Sequence, residues 1–267
     1  MTGGRRQKAE GRRQNKEQIQ RNIFIISVCL FTVFCVLNFI FPIPLEASSS
    51  VNKRFVYYIY WTGIRGGTAV MDYKTTPSGF TISTHATSAP VISIFYKVDD
   101  FAESTIYPDG YPKRFIMKTQ EGRHKRDKAT YFEPRVDNKR QKVIYHDKLE
   151  DEKFEFFLKK PAHDPLSAFF AMTRMSLEAG HSEYINIFDS KKVWHTEVQV
   201  LRKEKVHVQS REFNTILVKP LMKSEGIFKR TGDMFIWVTD DDRKIPVLFK
   251  SKAVIGTFTV ELAEGDF

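Results

Sequence analysis

Beyond its first fifty residues the chain has no cysteine. The two in the 267-residue sequence, Cys29 and Cys35, both lie inside an apolar run near the amino terminus. The remainder can form no disulfide and no thiolate metal site. Neither cysteine follows the small residue that lipoprotein processing needs. Metal chemistry has little else to draw on. The seven histidines (His85, His124, His146, His163, His181, His195, His207) form no two-histidine helical pair, and Asp240-Asp241-Asp242 lacks the alternate spacing and glycine of a calcium loop. No metal or cofactor is expected. There is no Gly-x-Ser-x-Gly elbow around Ser167, so a serine nucleophile has no support there. Long helical patterns between strands are absent, which disfavours a parallel βαβ sheet, and there is no internal repeat.

The apolar run is Ile23–Ile40, interrupted only by Ser27, Thr32 and Asn38 and extended by Phe41. At about 1.5 Å per residue it reaches roughly 27 Å, close to a bilayer's hydrocarbon thickness. Residues 1–22 form a basic flank, which places the amino terminus in the cytoplasm and residues 48–267 outside it. Residues 23–41 read as an uncleaved transmembrane anchor. The alternative is a signal-peptide core cleaved near Ala47, before Ser48-Ser49-Ser50. Residues 42–52 form a linker. The formal net charge is +10, and residues 1–47 hold seven basic against three acidic side chains. The mildly basic remainder is no nucleic-acid binder, and nucleic acid would be in the wrong compartment.

Residues 53–263 read as one β-rich domain. Strands are expected over Arg54–Trp61, Thr68–Thr75, Phe80–Thr87, Arg114–Thr119, Lys128–Phe132, Lys142–His146, Phe154–Leu158, Glu183–Phe188, Val193–Leu201, Phe213–Lys219, Met234–Thr239, Ile245–Ile255 and Thr257–Leu262. Val91–Val98 is ambiguous between a strand and a short helix. The clear helix is Asp164–Glu178. Asp164 can cap it, Pro165 suits its first position, and Gly180 suits the left-handed residue after its end. Most of its circumference is apolar, so it belongs in a core. The expected architecture is mainly β: a curved antiparallel sheet or open barrel wrapped around this helix, after the amino-terminal membrane segment. Trp237 and Phe235 oppose Met234, Ile236 and Val238, marking a central strand. Pro246 implies an edge, a bulge or a first residue, and Gly256 a tight turn or close approach.

Two groups of candidate binding residues follow. Phe169, Phe170, Met172 and Met175 would line any apolar ligand held against the helix. Arg123, Lys125, Arg126 and Lys128 would meet an anionic surface such as lipid headgroups, or else are a solvated edge-strand face. No catalytic residue is assigned. An enzymatic alternative, an envelope hydrolase or glycan-modifying enzyme, would need Asp240–Asp242 to converge with His163 or His195.

Several segments resemble the bacterial domain-of-unknown-function family numbered 3108. They are Tyr58-Ile59-Tyr60-Trp61-Thr62-Gly63-Ile64, Asp164–Phe170, Arg211–Pro220, and Gly226-Ile227-Phe228 through Ile236–Asp241 and Arg243–Val247 to Ile255–Leu262. The resemblance implies an exported envelope protein of one domain, and it carries no activity. Together with the apolar run, the expected place is the bacterial inner membrane with the carboxy-terminal domain in the periplasm, or the periplasm after cleavage near Ala47. A looser architectural likeness is to the open barrels with a helical plug of lipoprotein carriers. The expected role is binding a lipid, another apolar envelope molecule or an envelope protein partner. A purely structural interaction protein is a further alternative.

Overall fold

Period-two alternation governs nearly the whole described chain, and the result is a meander of hairpins. The structure, a computed structural model, describes residues 52–136, 139–221, 233–253 and 256–266. Its elements are β1 (Asn52–Trp61), β2 (Ile64–Thr76), β3 (Gly79–Ser88), α1 (Pro90–Ser93), β4 (Val98–Ile106), β5 (Pro112–Glu121), β6 (His124–Phe132), β7 (Gln141–Asp147), β8 (Glu152–Leu158), α2 (Pro165–Thr173), β9 (Ser182–Asp189), β10 (Lys192–Val208), β11 (Arg211–Leu221), β12 (Met234–Thr239), β13 (Pro246–Ala253) and β14 (Gly256–Gly265). The expected membrane anchor, its basic flank, the linker before Asn52, the Ala47 cleavage region, Gly226–Phe228 and Ile255 lie outside the described residues. Among the described residues no helix is long and apolar enough to cross a membrane.

The strands form one antiparallel sheet in the order β8-β7-β6-β5-β4-β3-β2-β1-β14-β13-β12-β11-β10-β9. The first and last strands are therefore partners in its middle. The edges, β8 and β9, are not hydrogen-bonded to each other, so the barrel is open. Side chains bridge the gap. Phe188 of β9 meets Phe156 of β8 at 5.1 Å. Lys191 pairs with Glu152 at 3.4 Å and lies 3.7 Å above the Phe154 ring. After β8 the chain lays His163 beside β9, where its N–H donates to Asn186 and its carbonyl accepts from Phe188.

The inward faces of the strands and α2 make the core. Phe55 and Tyr57 of β1, Met71 and Tyr73 of β2, and Ile82 of β3 are fully buried. On α2, Phe170 packs against Tyr73 and Phe80, and Phe169 against Phe249. Each such aromatic contributes about 1.5–3 kcal/mol by leaving water. Asp164 caps α2 in a reciprocal box with Ser167, and Pro165 occupies the first turn.

The helix is shorter than Asp164–Glu178. Thr173 turns its hydroxyl onto the Phe170 carbonyl, and the N–H groups of Arg174 and Met175 tighten to three-residue bonds. This ends the helix while keeping Leu177 buried. Gly180, at φ +88°, serves the later turn into β9, where its N–H donates to Val200. β4 was not expected from the sequence. Its Asp99, Asp100 and Glu103 are poor strand formers, but pairing on both sides overrides that preference. Val91–Val98 resolves into the single turn α1 and the first residue of β4.

β12 is interior, as its two apolar faces imply. Ile236 and Val238 are buried towards the core, and Trp237 is buried on the opposite face. What covers Trp237 is the β10–β11 hairpin. Thr215–Val218 of β11 pairs with both neighbours, but Arg211–Asn214 pairs only with β10. Beyond a bulge between Val200 and Arg202 the hairpin leaves the sheet and folds over its outer face. There Trp237 Nε1 donates to Glu204, and Gln209 at the tip donates to Tyr60 and Glu261. Pro246 is both the first residue of β13 and beside a bulge. Gly256 has φ +134°, which an L side chain rarely adopts, and a Cβ there would crowd the Thr62 and Trp61 side chains, so both conformation and close approach call for glycine.

Candidate functional site: a charged band above an aromatic floor

Cross-strand register arranges the inner face of the sheet in rows. The row Tyr73–Ile82–Ser104–Phe115–Thr130–Tyr145–Phe154 runs from β2 to β8 beside α2. Ser104 donates to Asp164 of α2 at 2.6 Å, which fixes this face as the inner one. Two residues along each strand lies Met71–Thr84–Ala102–Met117–Lys128–Asp147–Glu152, and beyond it Ala69–Ala86–Asp100–Thr119–Arg126. The lining thus changes from aromatic beside α2 to charged towards the rim that carries α1.

Asp100 and Glu121 are almost wholly buried in the charged band. Arg126 pairs with Glu121 Oε2 at 3.1 Å, Lys128 lies 3.9 Å from Asp147, and Asp100 accepts from the Gln120 N–H at 3.0 Å. Burial, reinforced by the neighbouring Glu121, pushes the Asp100 carboxyl up to about 8. Burial also raises Glu121, against the pull of Arg126. The same burial lowers Lys128 and pushes Tyr96 up to about 12. Thr84 Oγ1, Thr119 Oγ1, Glu121 Oε1 and Tyr96 OH are buried without a hydrogen-bond partner among the described residues. Such atoms call for a water or a ligand. On β2 to β4 the same rows hold the small residues Ala69, Ala86 and Ala102.

The candidate residues from the sequence are divided by this geometry. Phe169, Phe170 and Met172 are buried in the floor, with Met175 packed at its margin. The four basic residues split because β6 alternates. Arg126 and Lys128 lie on the inner face and are paired, whereas Arg123 and Lys125 are exposed. The sequence reading missed Asp100, Glu121, Thr84 and Thr119. Their signal, polar residues alternating with small apolar ones, becomes readable only once the register is known.

The groups of the enzymatic alternative do not meet. His195 hydrogen-bonds Asn186. Asp240 pairs with Lys203, eight residues further along β10, roughly 25 Å of strand away. Asp241 is occupied within its own turn by Thr239, Arg243 and Lys244. Among the described residues no group of three or more His, Cys, Asp or Glu side chains forms a metal-holding cluster.

His163 is stacked on Tyr111 at 4.5 Å, with Nδ1 buried and unpartnered. Burial pulls its pKa down to about 4. Because the unfolded imidazole takes up its proton first, the stability present above pH 6.5 is lost as pH falls towards 4. His163→Phe keeps the stack and removes this loss. Its urea midpoint should fall less than that of the parent between pH 7 and pH 4.5, and equal falls would show that His163 does not govern acid sensitivity.

The sequence profile of the family described as "Protein of unknown function (DUF3108)" matches residues 56–263. The chain belongs to the DUF3108 family. No curated protein matches it in sequence. The fold of this DUF3108 chain is similar to the crystal structure of a beta-barrel-like protein of domain of unknown function DUF1849 from Brucella abortus. The TM-score is 0.54 at 14% identity, covering 83% of this chain and 99% of the other. At that identity the likeness speaks for the fold alone.

Proposed function

We propose that this DUF3108 protein is a non-enzymatic envelope protein that holds an amphiphilic lipid in its lumen. The apolar chain would lie against Phe169, Phe170, Met172 and Met175, and the polar head among Asp100, Glu121, Thr84 and Thr119. The observation that carries this reading is one continuous inner face graded from aromatic to charged, with unpartnered polar atoms in its charged part. Glu121 Oε1 wants a donor, and Arg126 and Lys128 are already paired. A head that donates hydrogen bonds, such as ethanolamine or glycerol, therefore fits better than a bare phosphate. Residues 23–41 would keep the protein in the bacterial inner membrane with this domain in the periplasm, or be removed near Ala47.

Native mass spectrometry of the chain, purified from its own envelope membranes in mild detergent, tests the reading. The expected spectrum carries an added lipid mass, diminished in the Ala102→Phe variant, which narrows the lumen. A bare protein mass that stays bare after addition of envelope lipids would overturn it.

A further inference from the structure

We propose that α1 and the adjoining β5–β6 turn form a docking surface for an anionic phospholipid bilayer. This goes beyond the lumen reading and does not depend on it.

α1 has no buried residue. Val91, Ile94 and Phe95 are 69%, 76% and 86% exposed, so three large apolar side chains within five positions project from one rim. The display is built rather than slack. The Ser88 and Ser93 hydroxyls meet at 2.7 Å, the Val98 N–H donates to Ser88 Oγ, and Ser93 Oγ donates to the Ala89 carbonyl at 3.0 Å. The N–H groups of Phe95 and Tyr96 both close on the Ile92 carbonyl. The neighbouring β1–β2 turn adds Ile64, 66% exposed, and is tied to this loop by the Ala89 N–H donating to Gly66.

The second half of the surface is cationic. Gly122 donates its N–H to the Lys97 carbonyl at 2.7 Å. The Tyr96 ring rests where a Cβ on Gly122 would stand, 2.9 Å from Tyr96 Cε2. The apolar loop and the Gly122–Arg123 turn are thus one joined structure. Arg123, His124 and Lys125 are exposed there. Arg123 and Lys125 have no carboxylate partner among the described residues, while Arg126 and Lys128, the next basic residues, are neutralised by Glu121 and Asp147. Projecting apolar side chains beside unneutralised cations complement a bilayer interface, whose acyl boundary takes the former and whose anionic heads take the latter. A protein partner would have to supply both an apolar socket and acidic groups. The surface lies at the end of the sheet where β1 finishes, about 30 Å along that strand from Asn52.

A position-specific probe on the full-length chain tests this without interference from residues 23–41. Cys29→Ser, Cys35→Ser and Phe95→Cys allow a single environment-sensitive NBD dye at position 95. Phe157→Cys, on the outer wall of β8, replaces Phe95→Cys in the comparison protein. With vesicles containing phosphatidylglycerol, the dye at 95 should brighten several-fold and shift to the blue, and the dye at 157 should not. Pure phosphatidylcholine vesicles should give a much smaller response. Val91→Ser with Ile94→Ser should remove most of the signal. Arg123→Glu with Lys125→Glu should remove its dependence on phosphatidylglycerol, as should about 0.5 M salt, where charges beyond a few ångströms are screened. A dye at 95 that stays water-like on anionic vesicles, or responds no more than the dye at 157, overturns the proposal and assigns the tip to a protein partner.

Discussion

Asp164→Ala should destabilise the fold by about 3–5 kcal/mol, read as a lowered urea midpoint. The carboxylate is fully buried. It accepts from the Leu166 N–H at 2.8 Å, the Ser167 N–H at 3.0 Å and the Ser104 hydroxyl at 2.6 Å. The first two bonds cap α2, and the third ties it to β4. Alanine would strand the donors in a dry interior, where each unmet group costs about 1–3 kcal/mol. A nine-residue helix has little stability of its own, so without the cap its aromatic face loses a fixed position. Asp164→Asn should cost far less, because its Oδ1 can still cap and Ser104 can rotate to accept from the new amide. Burial raises the Asp164 carboxyl to about 6 despite these donors. The wild-type contribution therefore weakens as pH rises through that value. An alanine variant within about 1 kcal/mol of the parent would mean that α2 is held by its packing alone.

Asp100→Asn should act in the opposite direction and stabilise the protein, increasingly so at alkaline pH. The folded carboxyl has been pushed from 3.8 to about 8. Below the unfolded value both states are protonated and nothing is lost. As pH rises from about 4 to 8 the unfolded chain releases its proton first, and the folded state loses stability throughout that window. Asparagine carries no charge, yet its Oδ1 can still accept from Gln120 N–H. Discounting for relaxation, the gain near pH 8 should be about 3 kcal/mol, or about 6–12 °C in melting temperature. It should vanish near pH 4. A variant with the same pH profile as the parent would show that Asp100 is ionised and solvated when folded. The comparison also bears on ligand binding, because a protein evolved for stability alone would have little reason to keep this residue acidic.

Much of this could be read from the chain, for identifiable reasons. Asp164, Pro165 and the apolar face after them announce a buried, capped helix because capping chemistry is local. Phe258, Val260 and Leu262 reveal their face because the sheet there has one wet side. Gly180 does not mark the helix end, because glycine is equally good in any left-handed turn. β4 was hidden by its acidic residues. β10 runs past the expected end at Leu201, because Arg202-Lys203-Glu204-Lys205 carries no apolar alternation in the sequence yet pairs with β11 along its length. The charged band was invisible for a related reason. Arg126 and Lys128 look like surface residues until register places Asp147 opposite Lys128 and Glu121 on the diagonal from Arg126.

Pairing the first strand with the last has a kinetic consequence. Phe55 sits opposite Gly265, across nearly the whole described chain. β1 to β8 can assemble as local hairpins while the polypeptide is still being made, since each closes a short loop. The other edge of β1 must wait for the final ten-residue strand. Until then its N–H and C=O groups form an open template able to recruit another chain. Closure of the sheet at its centre thus depends on β14, which covers that edge of β1.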